Sequence, residues 1–265
     1  MLRQGAVVRN FDDLAPKFAR KVYGGLKGKI RLSVIERDLK EHCARAVQAA
    51  GKDQMVILDA GCGHGPVSLK MARHGHHIDL CDISQNMLDL AGKTVEAQGL
   101  DERVTFIHGD VHSLDPSAYG PYDLILCHAV LDWVPDPPDM LRHLSGLIKP
   151  GGILSLTFYN LDGFIFKNLL RANYKKIKKE DFKGFRGSLT PTFPRRSEDV
   201  YGWLSGLPVD ILCHSGIRVF HDYILDPGFQ NQDPDSVVEL ELKFSRQPPF
   251  RDMGRYQHIM ARFKP

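Results

Sequence analysis

Short apolar runs alternate with longer amphipathic segments along most of the chain, which predicts strands that alternate with helices. Leu32, Ile35 and Leu39 recur at helical spacing, and Ser84 is a favourable N-cap for a later helix. The predicted helices cover 11–22, 28–50, 67–74, 84–98, 138–147 and 235–246, and helical character also runs from 163 to about 179. The predicted strands cover 55–59, 77–82, 104–108, 122–127, 153–158, 209–213, 217–223 and 256–263.

The order of these elements indicates an α/β fold. Strands that alternate with helices form parallel βαβ units with right-handed crossovers, and the helices cover both faces of the sheet. We therefore predict one doubly wound domain over residues 1–265, in which 1–50 form an N-terminal helical cap. Residues 163–196 break the pattern and are too short and polar to form their own core. We interpret them as an insertion after the fifth strand.

Composition excludes several classes of protein. The first residues lack the apolar segment of a secretory signal, and no run approaches the roughly 18 uncharged apolar residues of a membrane span. The five cysteines are scattered and include no Cys-x-x-Cys pair, so we expect neither disulfides nor a metal site. These features are typical of a cytoplasmic protein that does not bind membranes.

Charge is unevenly distributed along the chain. Residues 167–196 contain ten Lys or Arg against two acids, so this basic island carries +8 while the whole chain carries only +3. A solvated helix face could explain the lysine run at 175–179. We favour the binding of a polyanion such as RNA, because the surrounding segment contains so many more basic than acidic residues.

A glycine-rich turn follows the first predicted strand. The sequence from Asp59 to Gly65 is D-A-G-C-G-H-G, and glycines at this position let the backbone approach a nucleotide-like ligand at the carboxyl edge of the sheet. Its spacing departs from the G-x-G-x-x-G of dinucleotide sites, which disfavours a dehydrogenase. It resembles the D-x-G-x-G-x-G motif of class I methyltransferases.

Four further signals appear in the order that the class I methyltransferases use. Asp82 ends the second strand, where a carboxylate can accept hydrogen bonds from ribose hydroxyls. The others are 109–111 after the third strand, 128–137 after the fourth, and the Lys-Pro-Gly-Gly sequence at 149–152. This resemblance implies a mostly parallel seven-stranded sheet of the Rossmann-like type and S-adenosylmethionine as the cofactor.

The ends of the chain resemble a narrower family, the bacterial tRNA 5-carboxymethoxyuridine methyltransferases. The segments that carry this resemblance are 10–18, 23–24, 27–31, 158–160, 216–223 and 254–256. The resemblance implies that the cofactor is bound by Arg31, Gly61, Cys62, Gly63, Asp82, Asp110, Val111 and His128. Cys62 replaces a glycine that is usual in the family, and Pro66 follows Gly65; a contact made by backbone tolerates both changes.

The resemblance further implies that the substrate is the carboxylate of 5-carboxymethoxyuridine at the tRNA wobble position, which would become a methyl ester. The partner would then be the tRNA anticodon stem-loop. A carboxylate is already a nucleophile at neutral pH, so no general base is required. It does need an orienting cation, and Arg218, Arg195 and Arg255 are candidates. Tyr201 is a candidate for stacking on a splayed base.

Two other functions remain open from the residues alone. A small-molecule methyltransferase acting on a metabolite carboxyl, quinone or phenol would share every cofactor motif, although it would not need the basic island. A non-catalytic protein that binds the cofactor and RNA is the second alternative. Methylation of a tRNA nucleoside distinguishes the tRNA enzyme from both.

Overall fold

The computed structural model describes residues 12, 22–50, 54–180, 182 and 190–265, with only the helical backbone at 44–50. Apart from Asp12 and Val22, the predicted helix at 11–22 lies outside the described residues. The strands are β1 Val56–Ala60, β2 His77–Asp82, β3 Val104–His108, β4 Tyr122–His128, β5 Ile148–Tyr159, β6 Val209–Ile217 and β7 Tyr256–Phe263.

Eight α-helices occur in the described ranges. They are α1 Gly25–Ala50, α2 Ser68–Arg73, α3 Gln85–Gln98, α4 Pro137–Leu147, α5 Leu161–Leu170, α6 Tyr174–Lys178, α7 Ser197–Ser205 and α8 Pro234–Phe244. The Ser84 hydroxyl caps α3 by accepting a hydrogen bond from the Met87 N–H, as the sequence predicts. None of the helices in these ranges is both long and apolar enough to cross a membrane.

The seven strands form one sheet in the order β3-β2-β1-β4-β5-β7-β6. Neighbouring strands from β3 to β5 are parallel, and β7 is antiparallel to both β5 and β6. The strand order reverses between β1 and β4. The chain segments that follow these two strands therefore leave in opposite directions, and a crevice lies between them. The predicted doubly wound, mostly parallel seven-stranded fold is confirmed.

The central strands β1 and β4 are largely buried on both faces, which is why they are almost continuously apolar in sequence, whereas the edge strands β3 and β6 are partly exposed. Ile57 packs in the cluster that contains residues of α1, α2 and α3, whereas the next residue, Leu58, packs in the opposite cluster with residues of α4 and α7. Leu124 and Ile125 on β4 divide in the same way. Successive side chains thus join the sheet to two separate helical layers.

Two predicted strands are wrong in their bounds. The runs at 209–213 and 217–223 are not separate strands: β6 is one strand that ends at Ile217, and a short 3₁₀ turn occupies His221–Tyr223. The chain leaves the sheet at Arg218, whose φ of 59° is incompatible with a strand. The carboxylate of Glu241 then accepts the N–H groups of Val219, Phe220 and His221, which satisfies the backbone without a strand partner.

The segment predicted as an insertion begins and ends beside the carboxyl end of β5. Leu161 donates its N–H to the Arg195 carbonyl at 2.9 Å, and Arg195 donates to the Tyr159 carbonyl at 2.9 Å. The described part between these points contains α5 and α6. The excursion therefore returns to its point of departure before α7 begins, and the insertion at 163–196 stays a prediction.

Candidate active site

The glycine turn after β1 has a backbone that other residues would strain. Gly61, Gly63 and Gly65 have φ values of 73°, 55° and 66°. A Cβ on Gly61 would lie 2.5 Å from Cγ2 of Val130, so a side chain there would collide with the segment after β4. The N–H groups of Gly61 and Cys62 both donate to the Cys81 carbonyl, at 2.8 and 3.0 Å, which fixes the turn against β2.

This turn forms the floor of a pocket at the carboxyl edge of the sheet. Of the eight residues predicted to bind the cofactor, all except Arg31 line this pocket: Gly61, Cys62, Gly63, Asp82, Asp110, Val111 and His128. Tyr23, Asp59, Pro66, Ile83, Met87, Gly109 and Val130 also line it. The predicted residues meet because parallel strands end at the same edge.

Two carboxylates face the pocket from adjacent strands. Asp82 accepts hydrogen bonds from the N–H groups of Gly63 at 2.7 Å and Ser84 at 2.9 Å, and burial raises its pKa above the ordinary value. Asp59 accepts the Ser68 hydroxyl at 2.5 Å. Burial, with a contribution from Asp82, raises the pKa of Asp59 to about 7. A ligand that carries donors or positive charge would relieve both carboxylates.

His128 closes the pocket at the end of β4. Its Nε2 lies 2.9 Å from the Ser155 hydroxyl on β5. Burial lowers its pKa well below the ordinary value, and the neighbouring His258 and Arg31 add to this effect. The ring is therefore neutral at physiological pH and can accept a hydrogen bond through one nitrogen.

Arg31 is buried beside the pocket, between two aromatic rings. Its guanidinium carbon lies 3.9 Å from the ring centroid of Tyr256 and 5.5 Å from that of Tyr23, which itself lines the pocket. Burial lowers its pKa, but the adjacent phenol groups outweigh this and raise the pKa above the ordinary value. The structure thus brings Arg31 near the site without making it part of the pocket wall.

A second cluster of charge lies near Tyr256. The buried carboxylate oxygen Oδ2 of Asp222 lies 3.2 Å from Nζ of Lys167, 3.3 Å from Nη2 of Arg218 and 3.8 Å from Nε of Arg255. We call these four residues the cation cluster. Burial raises the pKa of Asp222, but the three cations outweigh this and hold it far below its usual range.

Sequence reasoning predicts Arg218 and Arg255 for this region but misses Lys167 and Asp222 as their partners. Lys167 belongs to the basic island and is indistinguishable in sequence from its solvated neighbours. Asp222 lies within the segment 216–223 that carries the family resemblance, and this was the available signal. The link between Lys167 and Asp222 depends on how α5 packs against the turn after β6, which no local pattern encodes.

The other two substrate candidates have structural partners. Arg195 donates two hydrogen bonds to the Leu131 carbonyl, at 3.0 and 2.9 Å, and one to the Val134 carbonyl at 2.5 Å. The Tyr201 hydroxyl lies 3.0 Å from Nδ1 of His214. These groups fix the segment after β4 and join α7 to β6. Arg195 and Tyr201 therefore have structural roles, whereas Arg218 and Arg255 have buried donors without an acceptor in the described residues, which makes them the stronger candidates.

The residues present fit S-adenosylmethionine. The turn brings backbone close to the ligand, and a Cβ at Gly61 would block this approach. Asp82 supplies a carboxylate for ribose hydroxyls, while Ile83, Met87 and Val111 supply apolar surface for a purine. Asp59 and His128 offer acceptors for the positively charged methionine end of the molecule.

Comparisons with known proteins agree with this site. Residues 57–152 match a family model described as a methyltransferase domain. The chain is 39% identical over 254 residues to the tRNA 5-carboxymethoxyuridine methyltransferase of Escherichia coli K12, and the match covers 96% of each chain. It is 36% identical over 104 residues to the ubiquinone biosynthesis O-methyltransferase of Coxiella burnetii, which covers 39% of this chain and 43% of that one.

A solved structure shares the fold over nearly the whole chain. The magnesium protoporphyrin IX methyltransferase of Synechocystis PCC 6803 with bound SAH has a TM-score of 0.60 and 19% identity, and the alignment covers 96% of each chain. Identity this low shows the fold alone. The full-length sequence match is what fixes the family: the chain belongs to the tRNA 5-carboxymethoxyuridine methyltransferases, which are class I S-adenosylmethionine-dependent enzymes.

Proposed function

We propose that this enzyme transfers the methyl group of S-adenosylmethionine to the carboxylate of 5-carboxymethoxyuridine at the wobble position of tRNA, giving 5-methoxycarbonylmethoxyuridine. The relative from Escherichia coli carries the name of this nucleoside. Such a substrate places the enzyme in the cytoplasm with the tRNA pool. The observation in the structure that best supports the proposal is the cation cluster.

The cation cluster holds more positive charge than it balances. Asp222 contributes one negative charge against Lys167, Arg218 and Arg255, which together carry three. Nε of Arg218 and Nη1 of Arg255 are buried and have no hydrogen-bond acceptor in the described part of the chain. Buried donors without acceptors are costly, and an anion of the substrate would satisfy them.

The cation cluster lies beside the cofactor pocket. The guanidinium carbon of Arg218 is 5.4 Å from the ring centroid of Tyr256, and Arg31 approaches the same ring at 3.9 Å. Arg31 in turn approaches Tyr23, which lines the pocket. A carboxylate held by Arg218 and Arg255 would therefore lie near the end of the pocket that contains Asp59 and His128.

The chemistry asks little of the protein beyond positioning. The cofactor supplies a methyl group activated by its sulfonium charge. A carboxylate oxygen forms the new C–O bond as the C–S bond breaks, so the products are the ester and S-adenosylhomocysteine, and no proton moves. Arg218 and Arg255 orient the carboxylate, while the glycine turn and Asp82 fix the donor. We assign no general base.

The basic island supplies the features that a tRNA backbone requires. Lys175, Lys178 and Lys179 are exposed on and beside α6, and Leu170 and Tyr174 are exposed next to them. Lys183 and Arg186 lie outside the described residues. Lysines with an adjacent aromatic side chain suit a phosphate backbone and an unstacked base.

The proposal is tested by mass spectrometry of nucleosides. Purified enzyme is incubated with S-adenosylmethionine and tRNA from cells that lack it, and the tRNA is then digested. A gain of ~14 Da on 5-carboxymethoxyuridine that mild base removes is the expected result, since a methyl ester hydrolyses there. If the cofactor binds but no nucleoside gains mass, the tRNA assignment is wrong, and carboxyl-bearing metabolites become the substrates to test.

A further inference from the structure

A row of buried side chains runs from His128 on β4 across β5 and β7 to α1. The Ser155 hydroxyl on β5 lies 2.9 Å from Nε2 of His128 and 2.8 Å from Nε2 of His258 on β7. Nδ1 of His258 lies 2.8 Å from Oδ2 of Asp38 on α1. Asp38, Ser155 and His258 are fully buried. Four residues from four elements thus form one unbranched line that ends at the cofactor pocket.

The direction of these hydrogen bonds is set at Asp38. Its other oxygen, Oδ1, accepts from Arg37 at 2.7 and 2.9 Å and from Arg246 at 2.6 Å. Burial raises the pKa of Asp38, but the hydrogen bond from His258 and the charge of Arg37 hold it well below the usual range. An ionised carboxylate can only accept, so Nδ1 of His258 must carry a proton and donate it to Oδ2.

The direction of the remaining hydrogen bonds follows from the donors and acceptors that each group has. With a proton on Nδ1, a neutral His258 accepts through Nε2, so the Ser155 hydroxyl must donate to it. The oxygen of Ser155 can then only accept from His128, which places a proton on Nε2 of that ring. Nδ1 of His128 is left unprotonated, and the hydrogen bond of this ring to the described residues is the one between Nε2 and Ser155.

Charge balance favours this direction over the opposite one. Arg246 also donates to Glu41 at 2.8 Å, so the two guanidinium groups of Arg37 and Arg246 already balance Asp38 and Glu41. An imidazolium at His258 would keep the hydrogen bond to Asp38 but would reverse both hydrogen bonds of Ser155. It would also place an unbalanced positive charge in the core, facing His128 at 5.8 Å between ring centroids.

We propose that Asp38, His258 and Ser155 are positioning residues that hold His128 in its Nε2–H tautomer, so that Nδ1 faces the cofactor pocket as a hydrogen-bond acceptor. This inference rests on the proposed function only in that the pocket binds S-adenosylmethionine. An acceptor at this position suits an ammonium or hydroxyl donor of that ligand. The opposite tautomer would present N–H to a positively charged group and would weaken binding.

Asp38→Asn tests the proposal at the end of the line that is farthest from His128. Arg37 and Arg246 keep the amide oxygen on their side, so the amide nitrogen faces Nδ1 of His258 and donates to it. Every hydrogen bond then reverses, and His128 switches to the Nδ1–H tautomer. A carboxylate that fixes a histidine tautomer shows this behaviour in the serine proteases. Long-range ¹⁵N–¹H correlation spectra of the full chain, labelled at histidine and without cofactor, report the tautomer directly.

Ser155→Ala provides a second variant with minimal change in volume. It removes the partner that Nε2 of His128 has among the described residues, so we expect His128 to populate both tautomers and the affinity for S-adenosylhomocysteine to fall about 3- to 10-fold by calorimetry. Tyr122→Phe is the matched control, because it removes a partly buried hydrogen bond from β4, the strand of His128, to Asp79 on β2 without changing the line. It should leave both the tautomer and the affinity unchanged.

The outcomes separate this inference from the proposed function. A wild-type Nε2–H tautomer that switches in Asp38→Asn and becomes mixed in Ser155→Ala supports it, whether or not tRNA is methylated. An Nδ1–H tautomer in the wild type overturns it. The inference is also overturned if neither variant changes the His128 tautomer or the ligand affinity. A line with only a structural role would alter the stability of the fold and nothing else.

Discussion

At the scale of single residues, the guanidinium groups of Arg218 and Arg255 are the parts of the cation cluster that we expect to orient the substrate carboxylate. Arg218 has a strained left-handed backbone, and a residue in this conformation persists where the surrounding structure holds it. We expect Arg218→Gln to lower kcat/KM for tRNA about 10- to 100-fold, because one charge-assisted hydrogen bond contributes about 1.5–3 kcal/mol. Initial rates of methyl ester formation measure this change.

The same variant should leave the affinity for S-adenosylhomocysteine unchanged, because Arg218 does not line the cofactor pocket. Arg218→Lys retains the charge without the planar fork and should give an intermediate rate. Arg142→Gln is the control, since that side chain is 67% exposed and pairs only locally with Asp139. Equal rates for Arg218→Gln and the control would contradict the role of Arg218 in orienting the carboxylate.

Asp132, in the segment after β4, makes stability depend on pH. One carboxylate oxygen accepts the Tyr159 N–H at 2.8 Å, whereas Oδ2 is buried with no partner in the described residues. Burial raises its pKa to about 7. Since the folded state holds this proton more tightly than the unfolded state, the stability that it contributes is present at low pH and lost as pH rises through 7.

Asp132→Asn should remove this dependence, because the amide keeps the bond to Tyr159 and carries no charge. Between pH 5 and 8, the wild type should lose on the order of 2 kcal/mol of unfolding free energy relative to the variant. Urea denaturation at several pH values measures the difference, with the exposed Asp89→Asn as control. A difference that is flat across this range would show that Asp132 does not titrate there.

At the scale of elements, the sequence predicts what depends on neighbours in the chain. The glycine turn, Asp82 and the segment after β4 meet because each follows a parallel strand, and strand ends share an edge. The sequence does not predict the turn at His221–Tyr223, because the buried Glu241 that satisfies its N–H groups lies about twenty residues away on α8. Nor does it pair Asp38 with His258, which are 220 positions apart.

Helix α6 is the element on which tRNA affinity should depend. If Lys175 and Lys178 contact phosphates, tRNA binding by the variant with both changed to Gln releases two fewer counterions. The negative slope of log affinity against log salt concentration should then become shallower by roughly 1.4 to 1.8. Fluorescence anisotropy of labelled tRNA at several salt concentrations measures the slope. The double variant Lys93→Gln with Lys264→Gln, whose lysines lie on α3 and at the end of β7, should not change it. Identical slopes for both variants would place the RNA elsewhere.

At the scale of the whole molecule, ligand binding is linked to folding, because the pocket lies where the strand order of the sheet reverses. The pocket is built from the ends of β1, β2 and β4 and from the segments that follow β1, β2, β3 and β4, so it exists only in the folded chain. A ligand that binds only the folded state at about 100 times its Kd adds ~2.7 kcal/mol of stability. For a chain of this size that corresponds to a rise in Tm of roughly 5–10 °C.

Asp82 should control this linkage, because its carboxylate both accepts the Gly63 N–H and faces the pocket. Asp82→Ala lowers Tm by itself, so the informative quantity is the additional shift caused by S-adenosylhomocysteine, measured by scanning calorimetry with and without ligand. We expect that shift to disappear in Asp82→Ala and to remain in Asp89→Ala, which removes an exposed carboxylate from the adjacent helix α3. Asp82→Asn keeps one acceptor oxygen and should retain part of the shift. If the alanine variant were stabilised as strongly as the wild type, the ligand would have to be held without the carboxylate at the end of β2, and the assignment of Asp82 to the ribose would be wrong.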